Sequence, residues 1–215
     1  MTYQLTNLTV VTGASSGIGA EIARRLAARK ARLLLTGRDA GGLRAVADSL
    51  DPAAPAAELV TADLADPAGV DTLVAAIADR PVDLLVNDAG FATYGAHADL
   101  DPRAEAGVIA VNCTALVALT RAVLPGMLER RHGFVLNTAS TIAFQPGPRA
   151  GHLRRVQGLR LVLQRSSGRG TSRHRRASGR DLPRSHRKRL PGRHGRAGGG
   201  DLSHLPTPRQ RRARR

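Results

Sequence analysis

The chain of 215 residues has no tryptophan, only five phenylalanines and tyrosines together, two lysines and one cysteine. The single thiol, Cys113, can form no internal disulfide and no cysteine-based metal cluster. It lies in an apolar, helix-like run, so a buried side chain is expected there and no metal site. The opening "MTYQLTNLTVVTG" has no basic region followed by a long apolar segment. Nor does an unbroken run of about 18 apolar residues occur anywhere. Neither a signal peptide nor a membrane span is therefore expected, and a soluble, cytoplasmic protein is.

Acidic residues are scarce in one region only. Residues 151–215 hold two acidic and 20 basic residues, a net of +18, whereas residues 1–150 hold 15 acidic and 13 basic, a net of −2. Only 13 of the last 65 residues are apolar, and none is Phe or Tyr. Such a segment cannot bury enough apolar surface to offset its ordering entropy. The chain is thus expected to divide into a folding domain over 1–150 and a disordered, Arg/Gly/Pro-rich tail over 151–215. At face value "GRGTSRHRRASGR", "RSHRKR" and "RQRRARR" resemble nucleic-acid-binding tails, which attract phosphate backbones without specificity and with steep salt dependence. The tail has no aromatic platform for stacking bases. His152, His174, His186, His194 and His204 are too scattered for a metal site.

The first 150 residues alternate strands and helices. Short apolar runs at 8–13, 31–37, 57–64, 82–90 and 133–140 read as five strands. Helical segments fall at 18–30, 42–50 and 69–79, and a long one at 102–130 is expected to bend near Gly107. In the first helix Ile18, Ile22 and Leu26, four apart, lie on one face. Near-continuous apolar strands between helices mean a parallel sheet covered on both faces. Right-handed crossovers make it a doubly wound α/β sheet of Rossmann type, with a ligand beyond the carboxyl ends of the strands.

"VVTGASSGIGAEIA" places Gly13, Gly17 and Gly19 between the first strand and the first helix. Glycine permits a tight turn and close approach of backbone to a pyrophosphate, and the helix N-terminus favours phosphate. No lysine follows in the Walker pattern, which argues against a nucleoside triphosphatase. "TGASSGIG", then "NDAG" at 87–90, Asn112 in "VIAVNCTALV" and Ser140 in "VLNTASTIAFQPGP" occur in order. Together they closely resemble the short-chain dehydrogenase/reductase family over residues 5–148. The resemblance implies a dinucleotide held by Gly13, Ser15, Ser16, Gly17, Ile18 and Gly19, and by Asn87, Ala89 and Gly90. Asp88 stands where the family usually has a second asparagine, a change expected to loosen the turn slightly. An acidic residue ending the second strand would accept from a ribose hydroxyl and repel a 2′-phosphate. Gly37 and Arg38 stand there instead, and a guanidinium can pair with that phosphate. NADP is therefore expected ahead of NAD. Asp63 resembles the family's adenine-contacting aspartate; a plain helix cap is the alternative.

The resemblance further implies hydride transfer to or from a small carbonyl or alcohol, by a parent protein that forms a homo-oligomer. Ser140 would donate to the substrate oxygen, and Asn112 would support a water-linked proton path. The family's proton-donating tyrosine and its lysine neighbour fall at positions 153 and 157, which are Leu153 and Gln157. Neither can serve. The only tyrosines, Tyr3 and Tyr94, and the only lysines, Lys30 and Lys188, lie elsewhere in the sequence. "GHLRRVQG" over 151–158 is encoded by one permitted series, GGT CAT CTA CGC CGC GTC CAA GGC. Read one nucleotide later, that series encodes V-I-Y-A-A-S-K, with tyrosine over Leu153 and lysine over Gln157. Of the 33 basic residues 31 are arginine, the bias of a GC-rich region read out of phase. A change of reading frame near 148–151 is expected, leaving an inactive chain.

Overall fold

The computed structural model describes residues 4–95 and 97–140. Tyr3, Leu153, Gln157, the five histidines from His152 onward and the basic segment 151–215 lie outside the described residues.

Five strands form one parallel sheet: β1 (Leu8–Thr12), β2 (Arg32–Gly37), β3 (Glu58–Thr61), β4 (Val82–Asn87) and β5 (Phe134–Asn137). Their spatial order is β3-β2-β1-β4-β5. The chain moves outward from β1 to β3, then returns to β4 on the other side of β1. That reversal makes the ends of β1 and β4 the switch point of a doubly wound sheet. The helices are α1 (Gly17–Ala27), α2 (Ala40–Asp48), α3 (Pro67–Ile77), α4 (Pro102–Ile109) and α5 (Leu116–Arg130).

Strand alternation divides the core into two layers. Val10, Leu34 and Leu85 face α3 and α5 through Leu73, Ile77, Leu119, Val123 and Met127. Val11, Leu33, Leu35 and Val86 face α1 and α2 through Ala20, Ala23, Leu43 and Val46. Leu33, Leu34 and Leu35 are at most 1 % exposed, and burying each contributes about 1.5–3 kcal/mol.

The buried face of α1 is Gly19, Ala20, Ala23, Leu26 and Ala27, while Ile18 is 59 % exposed. The small residues seat the helix closely on the sheet and turn Ile18 outward. The irregularity of the long helical stretch is not at Gly107 but at Ala110–Ala115, where one wide π turn separates α4 from α5. Asn112 explains it: its Nδ2 donates to the Val108 carbonyl at 2.9 Å, so a side chain takes an acceptor of the helical ladder. Pro102–Arg130 is long and apolar enough to cross a membrane, but half of it is buried and Leu119, Val123 and Met127 pack on the sheet. It is a core helix of this domain.

Candidate functional site

The carboxyl ends of the strands open onto a cleft of about 860 Å³. Its floor is the glycine turn. Gly13 has φ 68°, and a Cβ there would lie 2.9 Å from the Cα and N of Ala89. Glycine at 13 therefore lets the end of β1 touch the turn after β4. A Cβ on Gly19 would lie 2.5 Å from the Gly13 carbonyl oxygen, so the start of α1 folds directly beneath that turn.

Helix α1 begins unlike its neighbours. Asp39, Asp66 and Asp101 cap α2, α3 and α4, accepting from the N–H groups of Gly42, Ala68 and Arg103. Ser16 makes no side-chain cap on α1, and no acidic residue lies in its first turn. The positive end of α1 is thus left to the cleft.

The cleft gathers most of the residues expected from the sequence. Gly13, Ser15, Ser16, Gly17 and Ile18 line one part, Arg38 and Asp63 a second, and Ala89, Gly90, Asn112 and Ser140 a third. Ile18, exposed at the start of α1, is a wall residue. Gly19 and Asn87 support the walls without lining them. Asn87 is buried, and its Nδ2 donates to Asn137 Oδ1 at 2.8 Å and Thr120 Oγ1 at 3.4 Å, tying β4 to β5 and α5. Asp63 Oδ1 accepts from the Ala65 N–H at 2.9 Å, so it caps a turn while also facing the cleft.

Sequence reading missed, among others, the supporting residue Thr12 and the wall residues Phe91 and Tyr94. Thr12 Oγ1 accepts from the N–H groups of Asp88 (3.1 Å) and Ala89 (3.0 Å) and donates to the Val86 carbonyl at 3.3 Å. The turn at 88–90 is therefore held through its backbone. The signal available was a threonine closing an apolar strand, beside a glycine. Phe91 lines the cleft with its ring 5.9 Å from the Arg38 guanidinium carbon, a contact with no local signal. Tyr94, far from Ser140 in sequence, lies on the same cleft and is 74 % exposed. Lys30 does not join it, because its ammonium pairs with Asp51 at 2.8 Å.

The donor set suits a dinucleotide: an uncapped helix start for a pyrophosphate, a floor without Cβ atoms, and an arginine at the end of β2. Gly37 adds to this, since a Cβ there would come within 3.2 Å of Ser15 Oγ and crowd the passage between turn and β2.

Comparison with known proteins agrees. A family profile described as short chain dehydrogenase matches residues 7–152. The chain is 38 % identical over 146 residues to dehydrogenase/reductase SDR family member 7B of Bos taurus, covering 64 % of this chain and 45 % of that protein. It is 35 % identical over 147 residues to an NADP-dependent 3-hydroxy acid dehydrogenase of Salmonella typhi, covering 65 % and 56 %. The chain thus spans about half the length of the curated relatives it matches. Among solved structures, a short-chain dehydrogenase from Sphingobium yanoikuyae in complex with NADPH superposes with a TM-score of 0.70 at 30 % identity, over 75 % of this chain and 67 % of that one. A metagenomic short-chain oxidoreductase in complex with NADP gives 0.70 at 32 % identity, over 76 % and 75 %.

Proposed function

Because the chain belongs to the short-chain dehydrogenase family, we propose that its sheet is the NADP(H)-binding part of an oxidoreductase whose active site the present reading frame leaves incomplete. The reading rests first on the start of α1, which lines the cleft and, unlike α2, α3 and α4, has no side-chain cap. The relatives and solved neighbours described with NADP or NADPH support it.

Gly13, Ser15, Ser16, Gly17, Ile18 and Gly19 hold the pyrophosphate against α1, where free N–H groups and the helix dipole meet its charge. Arg38 pairs with the 2′-phosphate, and Asp63, Asn87, Ala89 and Gly90 shape the adenine side. When bound, the nicotinamide supplies or accepts a hydride at the carbon of a small carbonyl or alcohol substrate. Ser140 donates a hydrogen bond to the substrate oxygen. Asn112, with its amide spent on the Phe91 and Val108 carbonyls, acts by position and fixes the π turn beneath the site.

The proton has no proper donor. Leu153 has no ionisable group and Gln157 no charge. Tyr94 reaches the cleft, but among the described residues no lysine lines it. The similarity to the family ends at residue 152, where the charge balance changes. A shift of one nucleotide near codons 148–151 accounts for both. The in-frame parent acts as a cytoplasmic homo-oligomer. The arginines of 151–215 add a secondary property, salt-sensitive attraction to phosphate backbones.

Titrating the full chain with NADPH and with NADH tests the cofactor half of this reading. NADPH binds more tightly, and Arg38→Gln weakens NADPH about 10- to 100-fold while sparing NADH, as loss of charge-assisted hydrogen bonds requires. Equal affinities in the parent chain contradict it.

A further inference from the structure

Arg38 stands at the mouth of the cleft, exposed on the loop after β2. Among the described residues no carboxylate lies within ion-pair distance of it. Of the acidic side chains in the cleft wall, Asp39 accepts from the Gly42 N–H at 3.0 Å and Asp63 from the Ala65 N–H at 2.9 Å. The contact that its guanidinium does make is with the ring of Phe91, 5.9 Å from carbon to centroid. That separation lies within cation–π range.

Phe91 is itself fixed from two directions. Its carbonyl accepts from Asn112 Nδ2 at 2.9 Å. Its ring packs against Val108 and Cys113 and fills the space over Gly107, where a Cβ would lie 3.1 Å from the Phe91 Cζ. This explains Gly107 without a bend: the glycine is the ring's seat, in a helix where glycine otherwise costs about 1 kcal/mol relative to alanine.

We propose that Phe91 is a specificity-determining positioning residue, whose ring holds the Arg38 guanidinium over the cleft and thereby raises the preference for a 2′-phosphorylated dinucleotide over its unphosphorylated counterpart. The proposal rests on the dinucleotide reading above. Its physical basis is that the two contacts use different parts of the guanidinium. The ring takes the face; the phosphate takes the N–H groups, which lie in the plane. Both hold at once. An unanchored exposed arginine must lose its rotamer freedom when phosphate binds, and a ring-held one has already lost part of it. The benefit falls only on ligands that use Arg38.

The test is a binding cycle on the full chain, read as the ratio of NADPH to NADH affinity. Phe91→Leu lowers that ratio about two- to fivefold, the range of a partly exposed cation–π contact. Phe91→Tyr keeps the ratio, because the ring remains. In an Arg38→Gln background Phe91→Leu changes the ratio no further, since the residue it serves is gone. A ratio unmoved by Phe91→Leu but collapsed by Arg38→Gln overturns the proposal and leaves the dinucleotide reading standing. A parent chain that binds NADPH no better than NADH overturns that reading instead. The chain has no tryptophan, so Phe91→Trp also supplies a lone fluorophore that reports the contact without nucleotide. Its emission shifts when Arg38→Gln is added; an unchanged emission overturns the ring–guanidinium contact even where Phe91→Leu fails to fold.

Discussion

A methyl group at Gly13 would meet the Ala89 backbone at 2.9 Å in a residue with φ 68°, whereas one at Gly17, with φ 56°, would meet nothing within 4 Å. The two glycines therefore separate clearance from conformation. Gly17→Ala incurs only the left-handed penalty, about 1–2 kcal/mol. Gly13→Ala incurs that penalty and also drives the end of β1 away from the 88–90 turn. It should lower stability by about 3 kcal/mol or more and abolish NADPH binding, while Gly17→Ala keeps most of the stability. Thermal unfolding and titration of the two variants check the order. The glycine spacing was legible because its meaning is local: strand, turn and helix follow one another within a dozen residues. Arg38 and Phe91 meet only because β2 and β4 flank β1, and no spacing rule announces that. The close seat of α1 is built from alanine and glycine, which the isoleucine and leucine spacing did not announce.

At the scale of elements, the five strands could be read from apolar runs, and the π turn could not, because it depends on one amide capturing the Val108 carbonyl. The opposite end of the sheet hides a second device of this kind. Asp83 on β4 is fully buried and accepts from the N–H groups of Thr6 (2.9 Å) and Asn7 (2.8 Å) and from Asn7 Nδ2 (3.0 Å), with His132 Nε2 at 3.6 Å. Burial alone would raise its pKa, but the hydrogen bonds from Asn7, the His132 charge and the Thr6 N–H together hold it below the usual carboxylate value. Asp83 thus ties the segment entering β1, through β4, to the end of α5. A depressed carboxylate stabilises the fold above its unfolded pKa, about 3.9, and that contribution is lost as pH falls through the lower folded value. Asp83→Ala should cost about 1.5–3 kcal/mol near pH 7. The gap from the parent chain should close as acid protonates Asp83 in the folded state. Denaturant midpoints measured across pH give the answer; a gap independent of pH down to strong acid contradicts it.

For the whole molecule, two opposite layers on one parallel sheet leave the cleft where β1 and β4 part, and its wall is drawn from the carboxyl ends of the strands and the turns beyond them, with Ile18 from the start of α1 and Asn112 from the π turn. The chain so described carries the glycine turn, Arg38, Asn112 and Ser140, while positions 153 and 157 carry leucine and glutamine. The central claim is that this is a dinucleotide-binding domain separated from its proton relay by one nucleotide. The most direct measurement is NADPH consumption, with a panel of aldehydes and ketones, by the chain as it stands and by the version whose coding sequence is shifted one nucleotide near codon 150. General acid–base groups contribute about 10²–10⁴-fold each. The account predicts turnover from the shifted version and background from the present chain, with Tyr94→Phe leaving that background unchanged. Comparable turnover from both, or activity of the present chain that vanishes with Tyr94→Phe, would contradict it.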